Sequence, residues 1–226
     1  MNQSQYSFKN KIAPIAGIFA CLTLYSSIAI SAYSFKGLQG QSFSLLNHFI
    51  SDLGNFNLSS NFNLFNAGVV LAGIGFGVFA YGCDGLIHSK LAKASVVIAI
   101  IASVLLMGVG LVPTTAGPLH LIIALSFFIL MTLGLALYSL CIWQTSNSPF
   151  PKSSALYGLL SPISLFIFML MPKDLLALEE EQGALFDRPD FWGLAFSEWT
   201  VFFFLTSWVL VISYQMLRSG VLKNPS

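Results

Sequence analysis

The stretch PLHLIIALSFFILMTLGLALYSLCIW, residues 118–143, runs its full length without one Asp, Glu, Lys or Arg. Immediately before it, AKASVVIAIIASVLLMGVGLV, residues 92–112, carries a single charge, Lys93, and only PTTAG separates the two. A helix rising 1.5 Å per residue needs about 20 apolar residues to cross about 30 Å of hydrocarbon, and each stretch meets that length. Working outward, the pattern recurs at Ile12–Tyr33, Phe62–Cys83, Ala155–Pro172 and Phe191–Leu217. With Ala92–Val112 and Pro118–Trp143 these make six spans. Backbone polar groups in lipid must be bonded internally, and the period-two alternation of barrel strands is missing, so the spans read as helices. The expected fold is all-α: a polytopic six-helix membrane bundle forming one domain over residues 1–226, with a structured first outer loop. Composition agrees, since 56% hydrophobic and 8% charged residues with a mean hydropathy of +0.79 cannot clothe a water-soluble surface.

Basic residues in short loops stay on the cytoplasmic side. Lys9, Lys11, Lys90, Lys93, Lys152, Arg218 and Lys223 fall on one side of the predicted spans, against Lys36, Lys173 and Arg188 on the other. Both termini are therefore expected in the cytoplasm of a protein of the cell membrane, with the acidic segment 174–190 outside. Lys9 and Lys11 before an apolar run also have the layout of a signal peptide, but the run is long for one and fits a first span better. A net charge of +1 and no basic patch beyond what topology requires argue against a nucleic-acid partner. Cys21, Cys83 and Cys141 all fall within spans and read as small buried apolar residues. The stripe Gly68, Ala72 and Phe76, beside Gly73 and Gly77, predicts close helix packing by the second span, and Pro162 predicts a kink in the fifth.

The polar residues that could carry chemistry gather on the outer side. Asn47, His48, Ser51 and Asp52 lie in the first outer loop. In a short helix ending at Gly54, His48 would pair with Asp52 and Asn47 with Ser51, one turn apart. A His and an Asp so placed can share a metal, or the Asp can fix the imidazole tautomer. His120 follows Pro118 in the first turn of the fourth span, where the positive end of the helix dipole favours a neutral imidazole. Glu198 lies about 12 Å into the sixth span if that helix starts near Asp190. An intramembrane carboxylate is costly and marks a functional site by default; Lys36, Lys173, Arg188, His48 and His120 are its candidate partners.

The motif His48-Phe49-Ile50-Ser51-Asp52-Leu53-Gly54, the Phe65-Asn66-Ala67-Gly68 opening of the second span, and Val109-Gly110-Leu111-Val112-Pro113 followed by His120 resemble the prokaryotic six-span membrane proteins of the domain-of-unknown-function family nine-nine-eight. The resemblance runs through nearly the whole chain in order and spacing. Ile50-Ser51-Asp52 is also similar to the first-loop signature of the damage-regulated autophagy modulator group. These resemblances imply fold and membrane location and assign no reaction.

Two functions fit. On the first, the protein binds lipid, organises the membrane or a protein partner, or handles a small solute through an outer-leaflet polar site. On the second, it is a metal-dependent hydrolase of a lipid or lipid-linked substrate. His48, Asp52 and His120 would then hold a divalent ion such as zinc, with Glu198 as a further catalytic candidate and Asn47, Ser51 and Asn66 in support. On either reading His48, Asp52, His120 and Glu198 are expected to converge on one cavity, and the first loop to fold down onto the bundle. Residue pattern leaves any homo-oligomer open.

Overall fold

The computed structural model describes residues 8–219; Lys223 lies outside them. The first span enters through a π turn, Phe8–Ile12, into α1 (Ala13–Tyr33). It is followed by α2 (Phe62–Cys83), α3 (Lys90–Leu111) and α4 (Pro118–Gln144). The fifth span is split into α5 (Lys152–Gly158) and α6 (Leu160–Leu170), and the sixth is α8 (Gly193–Ser219). Between them lies α7 (Asp174–Gln182), which is charged and short and does not span. Six helical segments are long and apolar enough to cross a membrane, and no strand forms among the described residues beyond one isolated bridge. The molecule is a multi-pass α-helical membrane protein.

The predicted spans match the helices to within a few residues because the polar breaks are unambiguous. α3 starts where the Ser89 side chain accepts the Ala92 N–H at 2.9 Å. α4 starts at Pro118, whose missing N–H costs nothing at a first helical position. The fifth span breaks at Leu159 because Pro162 cannot donate to the carbonyl one turn back. The sixth starts at Gly193 rather than near Asp190, which shortens the depth of Glu198 to about 7.5 Å along the helix.

Each span packs against its neighbours in sequence, and α8 closes the ring against α1 and α6. Close approach is bought by small residues: a Cβ on Gly73 would lie 2.9 Å from the Ser103 carbonyl of α3, and one on Gly75 would lie 2.9 Å from the Ala16 carbonyl of α1. Phe76, Phe127, Leu135, Leu205 and Trp208 fill the interior, whereas Phe19, Leu22, Val104, Leu121 and Phe166 point outward, as a lipid-facing belt requires. Hydroxyls within the spans bond their own helices: Ser95 to the Ala92 carbonyl at 2.7 Å, Ser103 to Ala99 at 2.8 Å and Thr206 to Phe202 at 2.8 Å.

Residues 34–61 fold down onto the bundle. Their neck is pinned where the Lys36 N–H donates to the Leu58 carbonyl at 2.7 Å and Ser31 Oγ to the Asn61 carbonyl at 3.1 Å. Leu53 is fully buried, and Phe43 and Ile50 pack against the core. Phe49 joins a second apolar cluster around Trp192. Leu45 and Leu46 of the same loop stay about half exposed because the chain turns outward there.

Candidate functional site

The short helix of the first loop starts later than the pattern suggests. A 3-10 turn spans Ile50–Gly54, and Asp52 caps it by accepting the Phe49 N–H at 2.9 Å. His48 precedes the turn in extended chain, so it and Asp52 are not one-turn neighbours on a helix, nor are Asn47 and Ser51. Gly54 ends the turn as expected, its carbonyl accepting Asn66 Nδ2 at 3.2 Å.

Two consecutive residues of α8 grip this segment from below. The Ile50 N–H donates to Glu198 Oε2 at 2.8 Å, and Trp199 Nε1 donates to the His48 carbonyl at 2.9 Å. Arg188 grips it from above. Its Nη1 donates to Asp52 Oδ2 at 2.6 Å and to the Asn47 carbonyl at 3.2 Å, while Nε donates to Glu179 Oε1 at 2.7 Å. The guanidinium lies 5.5 Å from the Trp192 ring centre, close enough for a cation–π contact. Burial holds Glu179 above the usual carboxylate range, and the attraction of Arg188 only partly offsets it. Asn47 Nδ2 donates to the Pro189 carbonyl at 2.9 Å, and the Trp192 N–H to the Leu46 carbonyl at 2.9 Å. The two long loops are thereby one cap over the end of the bundle opposite Lys9 and Arg218.

Beneath the cap is a cavity of about 50 Å³, whose capped end is formed by Ile50, Ser51, His120 and Glu198. Below them its walls are Phe65, Phe127, Phe128 and Phe202. Its free surface is apolar, so the polar atoms are recessed in the wall at the capped end. His120 Nδ1 is 2.6 Å from the Val112 carbonyl, which can only accept, so Nδ1 carries a proton and, in the neutral ring, Nε2 is the acceptor. That Nε2 is buried and without a hydrogen-bond partner. Glu198, whose Oε2 takes the Ile50 N–H, lines the same end of the cavity.

The four residues expected to converge are divided. His120 and Glu198 line the cavity under the cap. His48 lines a separate pocket of about 40 Å³ beside Glu179 and Arg188, and Asp52 is engaged by Arg188. His48 packs edge-on against Phe35, ring centres 4.9 Å apart, and its Nδ1 accepts the Ser44 N–H at 3.3 Å. Burial, with Arg188 nearby, holds it below the usual histidine range, so it is neutral at pH 7. Among the described residues no three His, Cys, Asp or Glu side chains are grouped as a metal ion would need. The partner of Glu198 is a backbone amide and not one of the basic residues named as candidates; Arg188, the nearest in sequence, is taken by Asp52 and Glu179.

The model of a family described as "Protein of unknown function (DUF998)" matches residues 18–215. The chain belongs to this family. No curated protein and no solved structure matches it. In this DUF998 chain the residues that sequence reasoning undervalued are Arg188, read only as one of the basic residues on its side, and Trp199, whose indole N–H holds the His48 carbonyl. An Arg flanked by Phe186 and Trp192 in an otherwise acidic segment is the signal that would have found the first.

Proposed function

We propose that this membrane protein handles a small, hydrogen-bond-donating solute at the cavity under the cap. The carrying observation is His120 Nε2 at its capped end, buried and without a hydrogen-bond partner among the described residues. An unsatisfied buried acceptor costs on the order of 1–3 kcal/mol, so a donor small enough to reach the recessed Nε2 is favoured. About 50 Å³ holds a few water-sized molecules and not a lipid headgroup or acyl chain. Lipid then serves as the solvent of the exposed apolar faces. The metal-hydrolase alternative has less support, since His48 and Asp52 are committed elsewhere.

The chain has three histidines, so 15N-histidine spectra of the protein in nanodiscs resolve His120. Ammonium chloride and methylamine, titrated at fixed pH, are expected to shift its Nε2 resonance, and a lysophospholipid to leave it unmoved. A shift by the lysophospholipid alone would overturn the small-solute reading in favour of a lipid site.

The proposal includes orientation: the capped end faces out of the cell, and the end carrying Lys9, Lys11, Lys90, Lys93, Lys152 and Arg218 faces the cytoplasm. All three native cysteines are buried, so single added thiols report cleanly. Ser60→Cys and Gln182→Cys should react with an impermeant maleimide applied to whole cells, and Ser146→Cys only after lysis. The reverse pattern refutes the orientation.

A further inference from the structure

A second cavity, of about 30 Å³, lies deeper in the ring, lined by Phe79, Cys83, Ser95, Tyr138 and Trp208. Among the described residues Phe76 alone lines both cavities. Counting along α2 at 1.5 Å per residue, Phe76 sits about 21 Å from the capped end and about 10 Å from Cys83, the last residue of that helix. Thr206, in the wall of the first cavity, and Trp208, in the wall of the second, lie two residues apart on α8. The two voids therefore follow one another along the axis of the bundle, and the ring of Phe76, only 2% exposed, stands between them.

We infer that the two cavities are one interrupted passage through the bundle, with Phe76 as its partition, and that it admits a neutral one-heavy-atom hydride, water or ammonia. The inference rests on the small-solute reading above and extends it from binding to passage. The chemistry of the walls selects the class. Below Glu198 and His120 neither cavity has a charged side chain in its lining among the described residues. Tyr138 spends its hydroxyl on the Cys83 carbonyl at 3.1 Å, and Ser95 on its own helix. An ion would lose its hydration with nothing to replace it, a cost of several kcal/mol even after relaxation. A neutral hydride loses little by comparison, and voids of about 50 and 30 Å³ match its size. At the capped end the same molecule can donate to His120 Nε2, which lacks a partner among the described residues.

The test uses the full chain in proteoliposomes, with stopped-flow light scattering for osmotic water flux and an entrapped pH dye for ammonia entry. Phe76→Ala merges the voids and should raise at least one flux severalfold over the native protein, while Phe76→Trp should lower it. Sodium flux should remain at the level of empty liposomes. Met216→Ala, an equally buried truncation that lines neither cavity, controls for general loosening and should change nothing. Should Phe76→Ala not fold, Phe76→Leu serves with a smaller increase. A rise in water alone, ammonia alone or both identifies the solute and supports the passage. Folded Phe76 variants with unchanged fluxes overturn it, as does a Met216→Ala leak of equal size or a sodium leak through Phe76→Ala. A His120 signal that responds to small donors while the Phe76 variants stay silent refutes the passage and leaves the binding site standing.

Discussion

Arg188→Met is expected to destabilise the cap by about 3 kcal/mol, the lower end of what removing one partner of a buried ion pair costs. The estimate turns on burial. Arg188 and Asp52 side chains are each 11% exposed and lie 2.6 Å apart, so the substitution strands the Asp52 carboxylate in a poorly solvated place. Glu179, at 28%, is wet enough that its pair with Arg188 adds on the order of 1 kcal/mol or less. Methionine keeps much of the apolar stem over Trp192, which isolates the loss of charge from the loss of packing. Thermal unfolding in nanodiscs should show the drop, and limited proteolysis should cut the 34–61 and 171–192 segments that the native protein shields.

The variant should also acquire a pH dependence of definite sign. Burial already raises Glu179, and without Arg188 nothing offsets it. A carboxyl whose folded value is raised costs nothing below its unfolded value and destabilises as pH climbs through the raised one. The variant should therefore regain stability as pH falls toward the ordinary glutamate value of about 4.3. An unfolding temperature that is indifferent to Arg188→Met would show that the ion pair contributes nothing to holding the cap.

Gly110→Ala should damage the bundle itself, by about 1–3 kcal/mol or by failure to fold. Its new Cβ would meet the Asn66 carbonyl at 2.5 Å, Val70 Cγ2 at 2.8 Å and the Val70 nitrogen at 3.1 Å. Two of the three are backbone atoms of α2, which cannot swing away as a side chain can. The helices must separate, and because Asn66 holds the Gly54 carbonyl, the cap loosens with them. Gly77→Ala is the matched control on the same pair of helices, since its Cβ would meet nothing nearer than Ser103 Cβ at 3.6 Å. Equal yield and melting of the two variants would refute the argument from close approach.

Much of this molecule was legible without coordinates. Hydropathy fixes the six spans because lipid leaves a chain little choice but a helix of one approximate length. Pro118 and Pro162 placed a start and a break because proline acts through its own missing N–H, a local cause. The family followed from motifs spread along the chain, and Gly54 ended its turn as read. His48, Asp52, His120 and Glu198 were correctly sent to one end of the bundle, since topology needs only the count of crossings.

What sequence could not decide was which of these residues meet. His48 and Asp52 look paired by spacing, yet Asp52 caps a 3-10 turn that begins after His48, and its charge belongs to Arg188, 136 residues away. Glu198 looked in need of a cation and found the Ile50 amide, because the loop descends far enough to present a backbone donor. Such choices depend on distances of a few ångströms between segments remote in the chain. Spacing along a sequence encodes only the neighbours of a single helix, whereas the cap, the orphaned acceptor of His120 and the partition at Phe76 exist only once the ring has closed.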